Sequence, residues 1–321
     1  MRKITKTLLG IGGAFCLIGA LLFIIGFTSG GTKYVHATNL NSMNAQKDNK
    51  ESANRFTLKK TEIPDFTSLN INLEDSDLNI EESPNEKSYI EYVQATKDKK
   101  NPLSYSIENG TLTLKEAGNT GASYYINVDI SFLQAALSSK NIEDYTKESS
   151  KYENYVTLYL PKDKLVSSAK IYLGYGDFYI KNAAFDTINI KLDDGDFNAN
   201  TFTANSGKLT FSYGDCDLQK ASLGNISLTS KDGDLTVNEL TLSGKTKIVL
   251  SYGDAEITLN DSTKKVSGFD LATHYGTITA SGLNGNKTVD EDDDVNTFQS
   301  DSKDGKTKLA IDSKDGDITL K

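Results

Sequence analysis

Apolar residues in the C-terminal half return in short alternating runs around a recurring Gly-Asp pair: GYGDFYI, DDGDFNA, SYGDCDL, KDGDLTV, SYGDAEI, HYGTITA and KDGDITL. The central glycines are Gly176, Gly195, Gly214, Gly233, Gly253, Gly276 and Gly316, with successive spacings of 19, 19, 19, 20, 23 and 40 residues. A repeated period of this size marks a repeat architecture. The last interval is close to two periods and predicts one repeat that has lost its glycine. Alignment on the glycines exposes four apolar columns. Five before the glycine stand Ile171, Ile190, Leu209, Leu228, Ile248, Leu271 and Ile311. Three before it, Leu173, Leu192, Phe211 and Leu250 share a column with Ser230, Thr273 and Ser313. Two after it stand Phe178, Phe197, Cys216, Leu235, Ala255, Ile278 and Ile318, and four after it Ile180, Ala199, Leu218, Val237, Ile257, Ala280 and Leu320.

A spacing of two on each side of the glycine is that of a strand with one buried face. The columns three before and two after are an odd number of residues apart, so one unbroken strand could not bury both. A bend must fall at the glycine, where a backbone without Cβ reaches positive φ. The predicted unit is strand, Gly-Asp corner, strand, polar loop. One such unit holds too few apolar side chains to offset its own ordering, so units must stack and share a core. The predicted fold is all-β, a single-stranded β-solenoid (β-helix) with rungs of about 19–20 residues. Antiparallel hairpins in a sandwich are the alternative, since Asp-Gly is also a hairpin signal. The register extends upstream around Ser76 (Ile71, Leu73, Leu78, Ile80) and around Gly110 (Tyr105, Ile107, Leu112, Leu114). The array is expected over 57–321, interrupted by an insertion at 119–155 in which SFLQAALS reads as a short helix.

The first apolar pattern is of another kind. Residues 8–27, LLGIGGAFCLIGALLFIIGF, carry no charge and as a helix would match a bilayer's hydrocarbon thickness. Arg2, Lys3 and Lys6 precede the run, which places that end in the cytoplasm and the rest outside. Residues 1–31 are therefore expected to form a cytoplasmic tip and a transmembrane helix, giving a single-pass protein of the cell membrane. A cleaved signal peptide is the rival reading, with Val35-His36-Ala37 as its site, but the run is long for one and the site lies well beyond its end. Residues 32–56, polar and without apolar periodicity, read as a flexible tether.

Charge changes the choice of partners. The chain carries 44 Asp and Glu against 35 Lys and Arg, a formal net charge of -9, and the N-terminal segment is wholly basic. An exported domain that acidic disfavours nucleic acid and suits cationic partners, although charge also keeps a β-rich surface soluble. Of the two cysteines, Cys16 lies in the apolar run and Cys216 occupies a core column, so no disulfide is expected and Cys216 reads as a small buried hydrophobe.

Candidate chemistry is sparse. Asp177, Asp196, Asp215, Asp234 and Asp254 follow the glycines, with Thr277 breaking the run before Asp317. Stacking would bring these carboxylates to about 5 Å from one another, which is tolerable if each accepts a hydrogen bond from its own turn. A column of cation sites, Ca²⁺ for instance, is the sharper alternative. Against it, the position before the glycine switches between Tyr (Tyr175, Tyr213, Tyr252, Tyr275) and Asp (Asp194, Asp232, Asp315). The tyrosines read as residues covering the corner, with a carbohydrate-stacking surface as the alternative. Asp290-Glu291-Asp292-Asp293-Asp294 reads as a solvated loop, or else as a trap for basic peptides or cations. The two histidines are His36 in the tether and His274 in a corner, and no nucleophile, phosphate-loop or zinc signature occurs. No catalytic residues and no cofactor are expected.

Taken together, VTLYLPKDKLVSSAKIYLGYGDFYI at 156–180, units such as 233–237 and NGTLTL at 109–114 resemble a bacterial family of β-strand-repeat domains grouped as candidate adhesins. The resemblance covers most of 57–321. It implies stacked β-helices, often behind one transmembrane segment in Gram-positive bacteria, and kinship with LiaG- and LiaX-type envelope-stress proteins. It supplies no catalytic residues. No Leu-Pro-x-Thr-Gly wall anchor is visible. The resulting expectation is a non-enzymatic, membrane-anchored extracytoplasmic repeat protein acting in envelope stress sensing or envelope interaction. Its partner would be another envelope protein, a cationic peptide or a wall polymer. A surface adhesin binding host or wall material is the alternative, ahead of a polysaccharide-active enzyme.

Overall fold

The computed structural model describes residues 55–95, 101–116, 154–290 and 294–321. The apolar run 8–27, the tether up to 54 and nearly all of the 119–155 insertion with its short helix lie outside the described residues. Among the described residues, no helix is long and apolar enough to cross a membrane.

Twenty strands and one short helix are described. The first seven strands are β1 (Arg55–Ile63), β2 (Ser68–Leu73), β3 (Asp77–Glu82), β4 (Ser88–Ala95), β5 (Leu103–Glu108), β6 (Thr111–Glu116) and β7 (Tyr155–Leu160). Then come β8 (Leu165–Tyr175), β9 (Phe178–Asp194), β10 (Phe197–Phe211), β11 (Cys216–Ser230), β12 (Leu235–Leu242), β13 (Lys245–Leu250) and β14 (Ala255–Leu259). Helix α1 (Asp261–Val266) precedes β15 (Gly268–Thr273), β16 (Ile278–Ala280), β17 (Asn286–Asp290), β18 (Val295–Ser300), β19 (Lys308–Ser313) and β20 (Ile318–Leu320).

The centre is a β-solenoid-like stack. Strands β8 to β11 pair in parallel, each shifted one repeat from the last, so that Phe178, Phe197, Cys216 and Leu235 lie in one line. All four predicted columns face the core there. Phe178 and Phe197 stack with ring centroids 5.2 Å apart, like on like.

The predicted polar loop is absent from the central rungs. Strands β9, β10 and β11 run on through it, because three further buried columns occupy that stretch. Ala183, Phe202, Ala221 and Leu240 lie seven after the glycine, and Phe185, Ala204, Leu223 and Leu242 nine after. Ala169, Ile188 and Ile226 lie seven before it. Columns four and seven after, and nine after and seven before the next glycine, are again odd distances apart, so two more bends are required. The ladder skips a residue at each of them, at Asn200 and Asn205 in β10. Each rung is thus a three-cornered coil with one glycine corner and two softer ones.

The order of the stack departs from the order of the chain at both ends. Each corner backs onto its neighbour so closely that a Cβ on the glycine would overlap the carbonyl oxygen one rung away. Those contacts run Ser76, Gly176, Gly195, Gly214, Gly233, Gly253, Gly316, Gly276. The C-terminal rung, β19 and β20, therefore inserts between the rung of β13 and β14 and that of β15 and β16. The 40-residue interval accordingly holds no lost repeat. It contains the antiparallel pair β17–β18, which closes that end against β15, and the return to the inserted rung. The 23-residue interval holds α1, capped by the Asn260 side chain on the Thr263 amide.

The other end repeats the device. Strands β2 and β3 insert between β8–β9 and a rung made of β6 and β7. Gly110 is not a solenoid corner, contrary to the sequence reading. Asn109 and Gly110, with φ of 50° and 72°, form the tight turn of an antiparallel β5–β6 hairpin. Ser76, by contrast, is a true corner. Antiparallel β4 and β1 extend this end beside β7. Antiparallel closure protects strand edges that a bare stack would leave open.

Candidate functional site

The glycine corner is the most regular surface of the molecule. At Gly195, Gly214, Gly233, Gly253 and Gly316 φ lies between 117° and 146°, a region L side chains rarely adopt. At Gly176 and Gly276 the close approach of the next rung alone excludes a side chain.

The aspartates after the glycines form a directed ladder. The Asp177 amide donates to Asp77 Oδ1 at 2.9 Å, and the amides of Asp196, Asp215, Asp234 and Asp254 each donate to the preceding Oδ1 at 2.8 Å. The Asp317 amide donates to Asp254 and that of Thr277 to Asp317, both at 2.8 Å. The expectation that each carboxylate binds its own turn is corrected: each satisfies the next rung. Nor does Thr277 break the run. It ends it: among the described residues no further Gly-Asp corner lies beyond it. Among the described residues no three His, Cys, Asp or Glu side chains gather as metal ligands.

At the opposite end Glu116, the last residue of β6, caps the Ser76 corner. Its Oε2 accepts the amides of Glu74 at 2.8 Å and Asp75 at 3.1 Å, and its Oε1 accepts from Ser76 Oγ. Burial holds its carboxyl above the usual glutamate value, against these hydrogen bonds. Nothing in the repeat pattern pointed to it.

In stack order, the residues before the corner read Asp75, Tyr175, Asp194, Tyr213, Asp232, Tyr252, Asp315, Tyr275. The alternation is unbroken over eight rungs, although in the sequence Tyr252 is followed by Tyr275. Insertion of the last rung restores it. All eight side chains are exposed. Tyr175 and Tyr275 are 65% accessible and Tyr213 and Tyr252 48%, a ridge rather than a covered corner. Lys231 Nζ lies 5.1 Å from the Tyr213 ring centroid and Lys314 Nζ 5.7 Å from that of Tyr252. His274 stands in the terminal corner. Of the acidic run, Asp294 accepts the Tyr275 amide through its backbone, while 291–293 lie outside the described residues.

Two shallow depressions lie away from the ridge. One is lined by Asn79, Glu81, Glu91, Tyr155, Thr157 and Tyr159. Tyr159 donates to Glu91 at 2.7 Å, and burial followed by that carboxylate raises its phenol. The other lies on the β2–β8–β9–β10 face with Lys170, Lys191, Lys208 and Tyr172. Tyr172 is pushed up to about 12 by burial and by its bond to Asp193. These groups offer hydrogen bonds and charge rather than an activated nucleophile. Cys216 is buried, and desolvation raises its thiol far above the reactive range, in keeping with a packing role.

Solved structures to which the chain shows some similarity include a candidate cell adhesion protein from Clostridium sporogenes, 14% identical, covering 83% of this chain and 97% of its own, with a TM-score of 0.34. Candidate adhesins from Bacteroides fragilis (10% identical, TM-score 0.40) and Parabacteroides distasonis (11%, 0.41) each cover 84% of this chain and 98% of their own. These values are too low to bear on function. No curated protein matches the chain. The family described as Toastrack DUF4097 matches residues 66–321, which take in every described strand from β2 to β20. The chain belongs to the Toastrack family, in agreement with the resemblance carried by its β-strand repeats.

Proposed function

We propose that the chain is a non-enzymatic scaffold of the bacterial cell envelope, tethered in the membrane by residues 8–27, whose repeat domain outside the cytoplasm takes part in sensing envelope stress. The observation that carries the reading is the lining-up of identical exposed side chains along the stack, which suits contact with something long and repetitive better than turnover of a small substrate. The acidic balance of the chain favours cationic material among such contacts. A strain lacking the protein should change in sensitivity to wall-active antibiotics and cationic peptides, and the full-length chain should fractionate with membranes. A wild-type profile across those agents would overturn the reading. Adhesion is a second reading, favoured by the exposed tyrosines; it requires direct binding of the purified chain to host matrix or wall material.

A further inference from the structure

We infer that the outward face of β6, β2, β8, β9 and β10 binds a linear polymer that carries phosphate groups. Charge is unevenly spread over this acidic chain. Three outward rows cross these strands in register: one from Thr111 to Ser206, one from Thr113 through Lys170 to Lys208, and one from Lys115 through Tyr172 and Lys191 to Thr210. Lysine is the only charged residue type in the three rows; every other position is Ser, Thr, Asn or Tyr. Lysines that merely keep a surface soluble are mixed with acids, and elsewhere on this protein they are. Lys181 pairs with Glu81, Lys220 with Glu239 and Lys321 with Glu256. Among the described residues no carboxylate pairs with Lys115, Lys170 or Lys208, all of them exposed. Glu74 and Asp193 stand at the corner edge of the face, and Asp193 is taken up by Lys191 and Tyr172. Only the insertion of β2 between β6 and β8 brings Lys115 into the depression that holds Lys170 and Lys208.

The arrangement selects the class of ligand. From β6 to β10 the lysines span about 19 Å, four strand spacings, which no single small anion bridges. Linked anionic groups can engage such a span together, each held near its seat by the one already bound. Beside the lysines stand Asn70, Asn72, Asn189 and Thr210, amide and hydroxyl donors, with no arginine among them. A guanidinium fork matches the planar edge of a carboxylate. Ammonium point charges with scattered donors suit phosphate, whose oxygens point several ways. Nucleic-acid bases find no platform here: the Tyr172 hydroxyl is bound to Asp193 at 2.9 Å, and Lys191 Nζ lies 4.9 Å from the Tyr172 ring centroid. The seat is a depression, which favours a chain lying in it over a planar membrane surface.

Such binding goes beyond the envelope reading and does not require it, since it uses another face and a ligand of opposite charge; failure to bind leaves the deletion phenotype to be judged separately. The probe is a synthetic glycerol-phosphate oligomer, a phosphodiester chain without bases, titrated by calorimetry into the purified full-length chain at several salt concentrations. With three lysines neutralised, the logarithm of affinity should fall against that of salt with a slope of about −2. Lys170→Gln with Lys208→Gln should weaken binding about tenfold at low salt and flatten the slope to about −0.7. Arg at both positions should retain binding. Lys181→Gln with Lys220→Gln, the same change of net charge away from this face, should leave affinity unaltered. Equal loss in that control pair, polyglutamate binding as tightly as the phosphodiester chain, or an oligonucleotide binding more tightly than it would each overturn the inference. So would binding confined to phosphatidylglycerol vesicles, or no binding at low salt. All the substituted side chains are exposed, so each variant should keep the parent's melting curve.

Discussion

Between Leu165 and Leu259 the chain climbs in order, each rung lying on the one just made, while at one end the first rung is later covered on both sides and at the other a gap is left and filled last. The central rungs form through contacts one repeat apart. The end rungs depend on partners far away in sequence: β2 meets β8 across about a hundred residues, and β19 meets β13 across 63. The difference teaches that stacking and closure are separate problems. Any rung of suitable pattern can be added to a growing stack, but a stack that simply stopped would present an open edge and a loose terminus. Setting β2–β3 and β19–β20 one layer inside, beneath antiparallel strands, holds the first and last rungs from both sides.

The sharpest way to break this comparison is to delete residues 301–321. Were the last rung in sequence also the last in space, its loss would trim the stack and spare the remainder. Here it should detach 268–300 as well, removing at least the burial of Leu309, Ile311, Ile318 and Leu320, about 8 kcal/mol at ~2 kcal/mol per side chain. Hydrogen exchange would report loss of protection in β15 and β18 together. A central corner should respond more locally. Gly214→Val combines a φ of 118° with overlap against the Gly195 carbonyl, and denaturant unfolding should show a loss of about 3 kcal/mol. The aspartate ladder is weaker: Asp215→Ala strips the Asp234 amide of its acceptor at an exposed site and should lower stability by about 1 kcal/mol, whereas Asp215→Asn keeps the acceptor and nearly all the stability.

The smallest effect is expected at Glu116. A carboxyl held above its ordinary value favours the protonated fold, so the stability Glu116 contributes is present below the ordinary value of 4.5 and lost as pH rises through the raised one. Glu116→Gln can keep an oxygen toward the two amides and donate to Ser76. It should therefore match the parent in acid and gain on it toward neutral pH. Parallel melting curves at every pH would dismiss a buried, reluctant carboxylate there.

Much of the central stack could be read from the sequence because four columns and a glycine recur at a nearly constant period. The remaining columns escaped notice for a physical reason. They mix Phe185 and Phe202 with Ala183, Ala204 and Ala221, and give way to Gly207 where rungs press closest, so size varies though burial does not. What read as a polar loop is a bent strand whose outward positions are polar. The ends were less legible still. Spacing along a chain carries no record of which rung lies upon which, and the Asn109-Gly110 turn mimicked a corner because both motifs need a residue tolerant of positive φ. The ridge illustrates the same limit: every tyrosine and aspartate was visible, but their strict alternation exists only in space.

That alternation has a bearing on how such a protein can change length. A duplication or loss of one repeat within the ordered centre would leave the core columns in register and the fold sound. It would also set two tyrosines or two aspartates side by side and shift every ring beyond that point out of phase. Gain or loss by pairs preserves both. Where the ridge matters, the heritable module is therefore the couplet, and lineages of this protein should differ in size by even numbers of coils.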